Sequence, residues 1–385
     1  MKKKIVYLSY MPLTDYVIRT WFIDYLINKG KAIEYWDVTT LLRGKFNEHG
    51  EKQKEYVRKF RSYKEIEAAF SEAENVNNVY VVLITLDGKN SLKLYRLLGK
   101  YHCKTVFIKW GGMPIKTIGN MGLKRFLGKF INPVRVLSTT YYLAKKNLYC
   151  RLRLIEKYNL CLVAGESLLQ MKQFADKVVS INMSDYDTYL DTIKQKTTVS
   201  DGSYAVFLDI NLPFQSDLAL SGVKALNADE YYASLNRFFD LIERFYDTKV
   251  VVASHHKANN SQSRFNGREC HRGKTAELVK DADFVISHHS TSISFAVLNK
   301  KPIVFIYTNA MREQYNNCRI RWINDLAEYF DLHAYNVDEV TDGGQVNVQK
   351  PNIDRYSAYK YSYLTSRYSE NLWSADIILR EISAI

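Results

Sequence analysis

VYVVLITL, residues 79–86, has only aliphatic side chains and one tyrosine before its threonine. A strand with one wet face alternates apolar and polar residues. A run that is apolar throughout belongs to a strand buried on both faces, as in a parallel sheet covered by helices. The rest of the chain is read outward from this run. KIVYLS (4–9), AIEYWDV (32–38), TVFIKW (105–110) and LCLVA (160–164) read as further strands, with helices near 16–28, 56–71 and 91–101. A less apolar stretch, 184–203, ends in DTIKQKTTVSDGS and reads as a linker. The pattern then restarts. YAVFLDI (204–210), KVVVAS (249–254), FVIS (284–287) and PIVFIY (302–307) read as strands, and 229–244, 275–280 and 292–299 as helices. Two α/β halves follow, 1–190 and 204–385.

The bulk numbers fit this division. A chain of 385 residues is longer than one core usually serves. With 46% hydrophobic and 25% charged residues, its composition is that of a globular protein. The five cysteines are scattered, with no CxxC pair, which points to a reducing compartment rather than a disulfide framework. The opening MKKKIVYLSYMPLTDY is interrupted too soon for a signal peptide, and no run of about 20 apolar residues exists to span a bilayer. These features predict a cytoplasmic protein.

The charge is concentrated. Of the net +13, fifteen Lys and Arg fall between Asp87 and Glu156, where no acidic residue occurs. Within that segment, KTIGNMGLKRFLGKFINPVRVLSTTYYLAKKNLYCRLRLI interleaves cations with apolar and aromatic residues. Helices with an apolar face and a cationic rim suit an anionic membrane surface. Lys124, Arg125, Lys129, Arg135, Lys145 and Lys146 flank its most apolar part. A solvated helix pair explains the same charge, and no recognised motif accompanies it to indicate nucleic acid.

Ligands of open α/β sheets bind beyond the carboxyl ends of the strands. In the second half those positions are Asp209, the group His255-His256-Lys257, and the run His288-His289-Ser290-Thr291-Ser292. A helix beginning near Ser290 offers unpaired backbone N–H groups, and the hydroxyls add donors; together they predict a phosphate seat. Ser290 alone reads equally as a helix cap, and His288 or His289 alone as a core histidine. Five of the eight histidines lie between His255 and His289, so a metal is the rival explanation. Their spacings match no standard ligand set, and no metal is predicted. Glu277 is a candidate for ribose hydroxyls or simply a first-turn helix carboxylate, and Asp217 is a second candidate base.

The segment 204–308 resembles glycosyltransferases of the GT-B fold that assemble bacterial surface polysaccharide, such as capsule or lipopolysaccharide. The similarity is to the sialyltransferases and Kdo transferases that use CMP-sugars. Those families carry an acidic residue, a histidine after a strand and a Ser/Thr pair opening a helix, in that order. The matching positions are Asp209 in FLDINLPF, His256 in VVVASHHKAN, and Ser290-Thr291-Ser292 in ISHHSTSISFAVLNKKP. Lys257 stands where the families usually have proline, which leaves His255 and His256 both open as the counterpart.

The resemblance implies two Rossmann-like domains facing a central cleft, Asp209 as base or nucleophile, and the histidine and hydroxyls on the donor phosphate. It implies a nucleotide-sugar donor as substrate and no cofactor or metal. A glycan or lipid-linked glycan acceptor would sit in the first domain, at the inner face of the cell membrane. A sugar-nucleotide epimerase of the same architecture and a non-catalytic glycan- or lipid-binding protein are the alternatives.

Overall fold

The structure is a computed structural model. It describes residues 3–43, 51–72, 75, 77–86, 91–110, 112–115, 133–195, 199–214, 226–255, 258, 261–312 and 318–385. The chain divides into two compact units.

The first unit is built on seven parallel strands: β1 (Lys4–Ser9), β2 (Ala32–Asp37), β3 (Val57–Lys59), β4 (Val79–Val82), β5 (Lys104–Lys109), β6 (Tyr158–Ala164) and β7 (Ala175–Ile181). Their order is β3-β2-β1-β4-β5-β6-β7. Alternate residues of each strand enter different cores, which is why 79–86 is apolar at successive positions. Ile5, Tyr7, Val79 and Val81 pack on one face with Val17 and Leu26. Val6, Leu8, Tyr80 and Val82 pack on the other with Ile66, Phe70 and Leu97.

The second unit has six parallel strands: β8 (Tyr204–Leu208), β9 (Lys249–Ser254), β10 (Cys270–Arg272), β11 (Phe284–Ser287), β12 (Ile303–Tyr307) and β13 (Ala334–Asn336). Their order is β10-β9-β8-β11-β12-β13. In both sheets the order runs outward from the first strand and reverses beside it. These are two Rossmann-like α/β sheets, each with a topological switch point between its first and fourth strands.

Several local expectations are corrected. The helix expected over 16–28 is two helices, Asp15–Thr20 and Ile23–Asn28, broken at Phe22, whose φ is 56°. The stretch 56–71 holds the short strand β3 before its helix, Tyr63–Ser71. The expected linker contains a helix, Ser184–Thr192, because Tyr186, Tyr189 and Leu190 recur at helical spacing. The division 1–190 and 204–385 also changes at its far end. The main body of the second unit runs from Asp185 to Leu364, and Thr365–Ile385 belongs to the first. Ile377, Ile378 and Ile382 of the helix Ser374–Ser383 fill the face that holds Ile5 and Tyr7.

Candidate functional site

Because β8, β9, β11 and β12 are parallel and nearly in register, their carboxyl ends fall at one edge. Leu208 pairs with Ser287 on one side and with Ala253 on the other, so Asp209, His255 and His288 lie just beyond three neighbouring strands. The switch point lies between Asp209 and His288.

Asp209 is buried, and its N–H still reaches the carbonyl of Ala253 at 3.1 Å. Its carboxylate accepts the backbone N–H of Asn211 at 2.7 Å and that of His255. The first bond bends the chain back sharply, and Asn211 takes a left-handed φ of 49°. Burial raises the Asp209 pKa against these two bonds and the nearby Arg264 cation. Arg264 lies over the exposed Phe214 ring, 4.1 Å from its centroid. Such a carboxylate is held in place and is more basic than one in water.

The two adjacent histidines differ. His288 is wholly buried; its Nδ1–H donates to the carbonyl of Ile306 at 2.7 Å, and its Nε2 accepts from the Tyr231 hydroxyl at 2.9 Å. Burial lowers its pKa to about 4, so it is a neutral packing residue with both nitrogens engaged. His289 turns the other way. Its Nε2 accepts from the Arg319 guanidinium at 3.0 Å, which leaves the proton on Nδ1. Nδ1 is buried with no hydrogen-bond partner among the described residues. Burial and the Arg319 charge hold the pKa of His289 down to about 3. The Trp322 ring stands edge-on to His289 at 5.7 Å, and its buried Nε1–H also lacks an acceptor among the described residues. Buried N–H donors without acceptors are rare in folded proteins.

Ser290 is buried, and its hydroxyl accepts the N–H of Ser292 at 3.2 Å; Thr291 is exposed and Ser292 half-buried. The helix that follows, Ile293–Leu298, starts later than the sequence suggests and is only six residues long. The donors here are therefore hydroxyls and individual N–H groups more than a helix dipole. The hydroxyls of Ser287 and Thr308, at the ends of β11 and β12, are also buried without partners among the described residues.

The remaining candidates are more scattered. Glu277 lies in the first turn of the helix Thr275–Asp281 beyond β10, half-buried, where Lys274 donates to it at 3.1 Å. His255 lies just past β9, half-buried, and contributes its backbone N–H to Asp209. His256, Lys257 and Asp217 lie outside the described residues. Of the six cations flanking the apolar part of the basic segment, only the side chains of Lys145 and Lys146 are described. Among the described residues no three His, Cys, Asp or Glu side chains converge as metal ligands.

Sequence reasoning missed Arg319 and Trp322. Both come from the helix Cys318–Tyr329, where Arg319 is buried in line with Ile323 and Leu326. A cation at an apolar-stripe position, i with i+4 and i+7, was the available signal.

No family model matches the chain, and no curated protein does. Solved structures similar to it include the glycotransferase of kitacinnamycin, 11% identical over 99% of this chain and 100% of that one, with a TM-score of 0.48. The UDP-GlcNAc 2-epimerase of Methanocaldococcus jannaschii, solved with UDP-GlcNAc and UDP, is 12% identical over 100% of both chains, with a TM-score of 0.49. A wall teichoic acid polymerase is 12% identical over 99% of this chain and 89% of that one, with a TM-score of 0.47. Glycosyltransferases and a nucleotide-sugar epimerase stand together among its similar structures.

Proposed function

We propose that the protein is a glycosyltransferase that moves a sugar from a nucleotide-sugar donor, with CMP-sugars favoured, to a glycan or lipid-linked glycan acceptor. One observation supports this most directly. A buried, basic carboxylate (Asp209) and a set of buried donors around His289 flank the switch point of the second sheet.

In this reading the acceptor hydroxyl gives its proton to Asp209 as its oxygen bonds to the sugar's anomeric carbon. The bond from that carbon to the donor phosphate breaks, and the phosphate leaves with the electron pair. Its charge is met by Nδ1–H of His289, the hydroxyls of Ser290, Thr291 and Ser292, and the Arg319 cation behind His289. His288 holds the strand end that carries them. His256 remains the proposed partner of the donor phosphate on the resemblance alone, with Lys257 beside it, and Glu277 is proposed for the ribose. The acceptor belongs to the first unit, at the inner face of the membrane in surface-polysaccharide assembly, and no metal takes part.

Two measurements test the proposal. A nucleotide held at a hundred times its dissociation constant stabilises the fold by about 2.7 kcal/mol, so a thermal-shift panel of CMP, CDP, UDP and GDP identifies the base and phosphate length. Incubation with the matching nucleotide sugar should then release free sugar slowly, and chelators should leave that rate unchanged. An inverted sugar centre on the recovered nucleotide would make the protein an epimerase. A thermal shift with neither chemistry would make it a binder.

A further inference from the structure

The helix Pro133–Arg151 packs on the first unit through the buried Tyr142, whose hydroxyl donates to the carbonyl of Leu86. Its other side carries Leu137, Tyr141 and Leu148, with Leu152 just past its end; these are 70%, 67%, 51% and 59% exposed. Their positions repeat at helical spacing and form one apolar stripe open to solvent. Beside the stripe a groove of about 360 Å³ opens towards the helix Leu92–Lys100. Lys93, Arg96 and Lys145 line it together with Tyr141, Tyr142 and Tyr149.

Arg96 and Lys145 share the Tyr149 ring, lying 5.2 and 5.7 Å from its centroid. No carboxylate lines the groove among the described residues. Glu67, which feels both Lys93 and Arg96, is ion-paired with Lys100 at 2.6 Å. Like charges gathered on one ring repel, and an entering anion relieves that repulsion. A soluble anion would leave the four large apolar residues in water. An amphiphile with an anionic head covers them as well. The fifteen cations of the surrounding segment, with no acid among them, favour the same surface. No helix among the described residues is long and apolar enough to cross a membrane, so the helix would lie on a bilayer rather than span it.

We propose that this groove seats the phosphate headgroup of an anionic lipid in a bilayer, while Leu137, Tyr141, Leu148 and Leu152 enter the headgroup–acyl boundary. This deepens the membrane part of the proposed function and does not depend on the sugar chemistry.

The test uses the full chain with vesicles of phosphatidylcholine, alone or with about one-third phosphatidylglycerol. A groove variant (Lys93→Gln, Arg96→Gln, Lys145→Gln) and a stripe variant (Leu137→Ser, Leu148→Ser) alter exposed or half-buried side chains, and circular dichroism checks their folding. Wild type should sediment with the anionic vesicles only. The groove variant should lose roughly a hundredfold in partition coefficient, as expected for three near-surface cations, and the stripe variant at least about tenfold. Lys145→Glu alone should act in the same direction and covers the case of a misfolded triple variant. Nucleotide thermal shifts on the same samples should be unchanged, which separates failure here from failure of the donor site. Equal sedimentation of wild type and groove variant, or no preference for anionic vesicles, would overturn the proposal. Displacement by inorganic phosphate at constant ionic strength would assign the groove to a soluble phosphate and overturn it too.

Discussion

The Arg319 guanidinium donates to Nε2 of His289 across 3.0 Å. That contact decides which nitrogen of His289 keeps its proton and how the ring is turned. Replacing Arg319 with Met should free the ring and remove the nearby cation. Nucleotide affinity is expected to fall by about ten- to a hundredfold, as when a charged hydrogen-bonding partner is lost. The His289 pKa, followed by NMR, should rise from about 3, because the Arg319 charge helps hold it down. An unmoved pKa with unchanged affinity would leave Arg319 a packing residue.

Ser290→Ala with Thr291→Ala removes two hydroxyls from the proposed phosphate seat. Each hydrogen bond is worth about 1 kcal/mol, so calorimetry should show nucleotide affinity lowered by roughly thirtyfold. Loss of the Ser290 bond to the Ser292 N–H should cost stability by about 1 kcal/mol at most. Unchanged affinity would return both residues to shaping the turn.

Asp209→Asn keeps an acceptor for the N–H groups of Asn211 and His255 but abolishes the base. Turnover should fall by about 10²–10⁴ with little change in melting temperature. In wild type, activity should rise with pH through an acidic limb lying above the ordinary carboxylate range, because burial raises this pKa. Near-normal turnover in the variant would move the role of base to Asp217.

His288 predicts an acid-labile fold. Its folded pKa is lowered from 6.5 to about 4, so the unfolded chain takes up a proton that the folded chain refuses. The stabilisation is full above pH 6.5 and is lost as pH falls towards 4, by about 3 kcal/mol in all. Urea unfolding of His288→Phe should show less stability at pH 7, with Tyr231 and Ile306 left unpaired, and a flatter slope below 6.5. A slope identical to wild type would refute the assignment.

Asp185 works in the opposite direction. Burial raises its pKa to about 6, although the Ser294 hydroxyl donates to it. Here the folded chain binds the extra proton, so its contribution is full below pH 3.8 and is lost as pH rises through 6. Asp185→Asn should raise stability at pH 7.5 by up to about 3 kcal/mol and steepen the acid loss left to the histidines. An unchanged melting temperature at pH 7.5 would count against a desolvated carboxylate at this position.

The parallel sheets were legible because β1, β4, β8, β9 and β12 are apolar on both faces, and that pattern needs no tertiary knowledge. The short outer strands β3, β10 and β13 were not, since three residues at a sheet margin leave no periodic trace. The strand-end rule found Asp209 and the 288–292 run. Only packing, however, could separate His288, with both nitrogens engaged, from its neighbour His289. The stripe position of Arg319 was readable, but its contact with His289 was hidden because it depends on how its helix packs. The C-terminal return to the first sheet was hidden for the same reason.

That return sets a timetable for synthesis. Ile377, Ile378 and Ile382 close one face of the first sheet; Lys177 pairs with Glu381 at 2.5 Å, and Lys104 reaches the carbonyl of Ile385 at 2.7 Å. At a ribosomal rate of roughly 5–20 residues per second, the about 200 residues between β7 and this helix take about 10–40 s to emerge. Throughout that interval the nascent first sheet has part of one apolar face uncovered, while the second unit receives its main body, Asp185–Leu364, and is free to fold. The unit that leaves the ribosome first is completed last, and its exposed interval is when a holding chaperone would have the most to cover.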